Sequence, residues 1–82
     1  MAVPKFQLMS RQACCLCDDA VAVVSDFVAE GRCELEVLDV DQDAAWAAKY
    51  GMDVPVLLYQ DTLCIQHRMS HEDINRILEG LC

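Results

Sequence analysis

The sequence predicts an α/β domain, one four-stranded mixed sheet carrying three helices on its two faces, in the order β-α-β-α-β-β-α. Three observations lead there. Short strand-like runs alternate with segments whose apolar residues recur every three or four positions, so the hydrophobic period switches along the chain. Pro55-Val56-Leu57-Leu58-Tyr59 is apolar throughout, the composition of a strand covered on both faces. Only the turn Gln60-Asp61-Thr62 separates it from the next strand, so these two form a hairpin, whereas the opening βαβ unit is parallel.

Each element follows from its residues. After Pro4, Lys5-Phe6-Gln7-Leu8-Met9 suits a short strand. From Cys15 to Glu30 the period is helical. Cys17, Ala20, Val21, Val24, Phe27 and Val28 make an apolar stripe, opposed by Asp18, Asp19, Ala22 and Asp26, and Gly31 is the stop. Residues 34–40 read as a second strand. Asp41 or Asp43 can cap a short helix through Ala44-Ala45-Trp46-Ala47-Ala48, ending at Gly51. Leu63-Cys64-Ile65-Gln66 is the return strand. Ser70 with Asp73 three residues on is a capping-box start, and Ile74, Ile77, Leu78 and Leu81 form the last helical stripe.

Length and composition bound the function. The 82 residues, 55% of them apolar, form a single domain over residues 1–82 with enough core to fold unaided. No apolar run approaches the roughly 18 residues of a membrane-spanning helix. Met1-Ala2-Val3-Pro4-Lys5 lacks a basic start leading into an apolar stretch, so a soluble, cytoplasmic protein is expected. The sequence leaves its oligomeric state open, with a monomer favoured. The net charge of −8 argues against nucleic acid and anionic membrane surfaces as partners. No Gly-rich phosphate loop, Ser/His/Asp set or metalloprotease motif is present.

The six cysteines carry the chemistry. Cys14, Cys15 and Cys17 crowd together, too close to staple distant segments, so redox chemistry or metal binding is indicated over a disulfide scaffold. Cys14 and Cys17 are three apart where the first strand hands over to the first helix, which puts their side chains within bridging reach. Cys17 falls on the buried stripe. Cys14 falls at the helix start, where unpaired N–H groups and the helix dipole favour a thiolate. An exposed attacking thiol with a shielded partner suits thiol–disulfide exchange. Arg11 favours the Cys14 thiolate while Asp18 and Asp19 oppose it, so a modest activation is expected.

Cys15 lies on the polar side and is assigned no catalytic role. Cys33 and Cys64 read as small apolar residues at strand ends or on sheet faces, and Cys82 as a free terminal thiol. A zinc site normally needs a second ligand pair at close spacing, and Cys33, Cys64, Cys82, His67 and His71 are scattered, so no metal ligand is assigned. The alternatives are a metal or iron–sulfur module held by Cys14, Cys15 and Cys17, or a scaffold of low activity. Trp46 and Tyr50 read as a packing pair, the methionines as gap fillers, and His67 and His71 as solvated.

With the element order, the Cys14-X-X-Cys17 pair and Asp53-Val54-Pro55-Val56-Leu57 in view, the chain resembles the glutaredoxin type of thioredoxin fold (βαβαββα). Cys14-Cys15-Leu16-Cys17-Asp18 is similar to the Cys-His-Leu-Cys-Asp motif of small bacterial glutaredoxin-like proteins, except at Cys15. Arg11 matches a basic position of that family. The resemblance implies a dithiol oxidoreductase with Cys14 as nucleophile and Cys17 as resolving thiol. Pro55 would be a cis-proline, and the Val54 backbone would receive the cysteine moiety of a protein disulfide or low-molecular-weight thiol.

The resemblance further implies substrate contacts at Arg11 and Asp73, with Glu72-Asp73 matching the family's acidic pair and Gly80-Leu81 its helix end. It implies no bound cofactor and glutathione as a candidate reductant. The chain departs from typical glutaredoxins at Cys15, Leu16 and Asp53. Met69 and Ser70 replace a Gly-Gly pair that would approach the tripeptide's γ-glutamyl group. The net charge of −8 also acts against an anionic tripeptide.

Overall fold

The structure, a computed structural model, describes residues 3–81. Cys82, expected to be a free thiol, lies outside them, as do Met1 and Ala2 of the segment expected to lack an export signal. The elements are β1 (Lys5–Ser10), α1 (Cys15–Ala29), β2 (Glu34–Asp39), a 3-10 turn (Val40–Gln42), α2 (Ala44–Tyr50), β3 (Val56–Tyr59), β4 (Thr62–Gln66) and α3 (His71–Gly80). The sheet order is β2-β1-β3-β4, with β1 parallel to β2 and both β1/β3 and β3/β4 antiparallel. The expected mixed sheet and closing hairpin are therefore present. No helix among the described residues is long and apolar enough to cross a membrane.

Alternation along the central strands divides the core between the two faces. Phe6, Leu8 and Leu57 point to the side covered by α1 and α3, where they meet Ala20, Val24, Phe27, Ile74 and Leu78. Met9, Val56 and Leu58 point the other way, against Val40 and the flanks of Trp46 and Tyr50. Val56, Leu57 and Leu58 are all buried, as a strand covered on both faces requires.

The first helical stripe is narrower than its sequence suggests. Cys17, Ala20, Val24 and Phe27 are buried, whereas Val28, on the stripe's flank in the last turn, is 38% exposed. Gly31 adopts φ +75° just past the helix end, a left-handed turn that costs glycine little. The second strand stops at Asp39, one residue earlier than its apolar pattern suggests. There the Asp39 carboxylate accepts the Asp41 N–H at 2.9 Å and starts the 3-10 turn, with Val40 fully buried inside it. Of the two candidate caps for α2, Asp43 takes the role and accepts the N–H groups of Ala45 and Trp46.

α3 begins in the predicted capping box. Asp73 N–H donates to the Ser70 hydroxyl at 3.2 Å, and Ser70 N–H donates to the Asp73 carboxylate at 3.0 Å. The Ser70 backbone N–H first, and its hydroxyl second, hold the Asp73 carboxyl below the usual carboxylate range. A group whose pKa is depressed by folding stabilises above its unfolded value, about 3.9 for aspartate, and that contribution disappears as pH falls through the folded value. Ser70→Ala is expected to cost about 1 kcal/mol in urea denaturation at neutral pH. Asp73→Asn is expected to remove part of the wild-type loss of stability below about pH 4. Equal acid sensitivity in the wild type and Asp73→Asn would contradict this.

Candidate active site

Strand register brings distant residues to one end of the sheet. Met9 pairs with Val56, so the Asp53-Val54-Pro55 segment entering β3 lies beside the chain leaving β1. Ser10 pairs with Asp39, which puts the 3-10 turn at the same end, and Val56 pairs with Gln66, which adds the residues after β4. Arg11, Cys14, Asp41, Asp53, Val54, Pro55 and His67 all converge there.

Between β1 and α1 the chain turns through Ala13, whose φ is +58°. That left-handed conformation is uncommon without glycine. It delivers Cys14 in an extended conformation (φ −108°, ψ 104°) as the N-cap of α1. Its Sγ accepts the Cys17 backbone N–H at 3.1 Å, so one of the unpaired donors at the helix start serves the sulfur. Cys14 is half-buried, and Cys17 is 1% exposed on the buried stripe. The two are joined in a disulfide with Cα atoms 5.2 Å apart. Cys15 is exposed and free.

The other described thiols are elsewhere. Cys33 is packed in the α1/α3 core and Cys64 lies against it. Burial pushes both thiols above the usual thiol range, so neither is favoured as a thiolate. Among the described residues no group of three or more His, Cys, Asp or Glu is arranged to hold a metal ion.

Several polar side chains singled out by the sequence have protein partners. The Arg11 guanidinium is forked onto Asp41, with Nε at 3.1 Å from Oδ2 and Nη2 at 2.9 Å from Oδ1, and Nη1 donates to the Gly51 carbonyl at 3.1 Å. Its donors thus reach into the 3-10 turn and the end of α2. Asp73 is engaged in the capping box. His67 and His71 are exposed, as expected for solvated residues, yet each ring meets a carboxylate. His67 Nε2 lies 3.3 Å from Asp53 Oδ1, and His71 Nε2 lies 2.6 Å from Asp26 Oδ2.

Val54 is half-buried and Pro55 buried, and the peptide bond between them is cis, as the resemblance implies. Met69, at the place of a family glycine, is buried in the core, while Ser70 caps α3. Met9 and Met69 fill core space, but Met52 does not. It is 96% exposed on the loop between Gly51 and Asp53, where neither sheet face offers cover. Sequence reading also missed the left-handed Ala13 and the Asp53–His67 pair. An alanine carries no turn signal, and the pair joins residues brought together only by the β3/β4 register.

The described residues also form a groove of about 590 Å³, lined by Pro4, Lys5, Arg32, Tyr59, Leu78 and Glu79 among others. It belongs to other residues than Cys14, Cys17, Val54 and Pro55, so the disulfide does not line it.

The family model described as Glutaredoxin-like domain (DUF836) matches residues 5–79. The chain belongs to this glutaredoxin-like family. A crystal structure of the structural genomics target protein XcR50 from X. campestris is 27% identical, with a TM-score of 0.78 over 92% of this chain and 96% of that one. The solution structure of Ne2328 from Nitrosomonas europaea is 23% identical, with a TM-score of 0.79 over 94% and 93% of the two chains. Thioredoxin 1 from Thermosipho africanus shares the fold at 17% identity and a TM-score of 0.60, over 94% and 97%. The glutaredoxin-like domain thus has the thioredoxin fold, with a Cys-X-X-Cys pair at disulfide distance where its first helix begins.

Proposed function

We propose that this glutaredoxin-like protein is a dithiol–disulfide oxidoreductase. One observation carries the reading: Cys14, partly accessible at the start of α1, is bonded to Cys17, which is shielded beneath it. In the reduced protein the Cys14 thiolate attacks one sulfur of a substrate disulfide. A mixed disulfide forms, and the first substrate thiolate leaves. The Cys17 thiolate then attacks Cys14 Sγ, the second substrate thiolate departs, and the Cys14–Cys17 disulfide remains. Two electrons have passed from the dithiol to the substrate, and an external thiol pair returns them.

The dipole and free N–H groups of α1 support the thiolate at Cys14. Asp18 in the first turn opposes it. The Val54 backbone would hold the substrate's cysteine as a short added strand. A site formed by a helix start and a loop suits the exposed disulfide of a protein or a small thiol compound. Glutathione is the candidate reductant by resemblance, although the buried Met69 and the net charge of −8 do not favour it. Reduction of a peptide disulfide by the wild type, lost in Cys14→Ser, tests the reading. Full turnover by Cys14→Ser would overturn it.

A further inference from the structure

The Arg11 guanidinium is about 40% exposed, and isolated surface ion pairs of that kind contribute little to stability. Its geometry is more specific than stability alone requires. Three donors are committed at once, two in a fork on Asp41 and one on the Gly51 carbonyl, joining segments 30 and 40 residues apart in sequence. The guanidinium packs so closely on Gly51 that a Cβ there would lie 3.1 Å from Nη2 and run into the Ala47 carbonyl. Gly51 opens the stretch that ends at Val54 and Pro55. The far end of that stretch is held as well, by the His67 N–H donating to the Pro55 carbonyl at 2.8 Å and by the His67 ring beside Asp53.

We propose that Arg11 is a positioning residue for thiol exchange: its fork onto Asp41 and its bond to Gly51 set residues 51–55 in register with Cys14, and its charge does not activate the thiol. This rests on the oxidoreductase reading above. With Asp41 neutralising the guanidinium at 2.9 Å, little net positive charge remains to act on Cys14. A misplaced substrate template weakens binding of the disulfide and leaves the nucleophile intact.

Arg11→Lys, Arg11→Met, Asp41→Asn and the Arg11→Met/Asp41→Asn double variant separate the two roles in two assays on the whole protein. The first is the KM and kcat for a peptide disulfide. The second is the pH profile of Cys14 alkylation by iodoacetamide in the reduced protein, located at Cys14 by fragmenting its peptide so that Cys15 and Cys17 are read separately, which needs no substrate template. The expected result is a roughly tenfold rise in KM in all four variants, with Arg11→Lys no better than Arg11→Met because an ammonium cannot make the fork. The double variant should be no worse than either single change, as for partners in one unit. The alkylation profile should stay at its wild-type position.

Wild-type KM in Arg11→Lys would overturn the proposal. So would an alkylation midpoint that rises in Arg11→Met and falls in Asp41→Asn, the opposite signs expected of a charge effect. An unchanged KM in every variant, with normal wild-type turnover, overturns the brace alone. A wild type that forms no mixed disulfide at Cys14 overturns the oxidoreductase reading beneath it.

Discussion

Cys17→Ser is expected to accumulate as a mixed disulfide with substrate through Cys14, while Cys14→Ser forms none and shows no turnover. The asymmetry follows from burial and helix position. Cys14 stands at the N-cap with its sulfur partly accessible and an N–H directed at it, so it alone meets substrate. Cys17 is 1% exposed and reaches a disulfide only after Cys14 has carried it in. Removing Cys17 leaves the first displacement intact and deletes the second, so the intermediate persists. Cys15 is exposed on the same helix, and its neighbouring position is what makes the experiment informative. If Cys14→Ser trapped substrate through Cys15, the assignment of the nucleophile would be wrong. Mass spectrometry of the trapped species, with the linked cysteine located by peptide mapping, decides it.

Phe6→Ala is expected to cost about 3–5 kcal/mol, a large share of the total stability. Phe6 is fully buried in β1, the strand between β2 and β3, and its ring meets Tyr59 edge-on with centroids 5.9 Å apart. It also faces α1 and α3, so neither helix can close the cavity without leaving its other contacts. At about 0.05–0.15 kcal/mol per residue, 82 residues have roughly 4–12 kcal/mol of stability in total. Leu63→Ala, at a side chain 50% exposed on β4, is the control and should cost far less. Urea denaturation of both variants checks the contrast, and comparable losses would show that the core is not organised around Phe6.

The fold was legible because its signals are local and repeated. The periodicity of α1 and α3, the apolar run at Val56–Tyr59 and the Ser70/Asp73 capping box each name an element from a few neighbouring residues. The Cys14/Cys17 pair was legible for the same reason, since a helix turn fixes the distance between residues three apart. What the sequence hid depends on register between strands. Arg11 read as a charge near a thiol, because nothing local reveals that Asp41 and Gly51 will lie beside it. His67 read as solvated, because its carboxylate partner lies 14 residues earlier in the chain and meets it only through the β3/β4 pairing. Met52 read as core because composition alone does not separate a buried methionine from one on a loop.

The Cys14–Cys17 couple itself gives the most direct test of a redox role. Equilibrated with a thiol–disulfide buffer and quenched by alkylation, the protein should exchange two electrons reversibly at Cys14 and Cys17, with Cys15, Cys33 and Cys64 remaining free thiols. The potential should fall in the range spanned by thioredoxin, glutaredoxins and protein disulfide isomerase, about −270 to −180 mV. A potential below about −300 mV, as for structural disulfides, or a bridge that forms through Cys15 would contradict an oxidoreductase built on this pair.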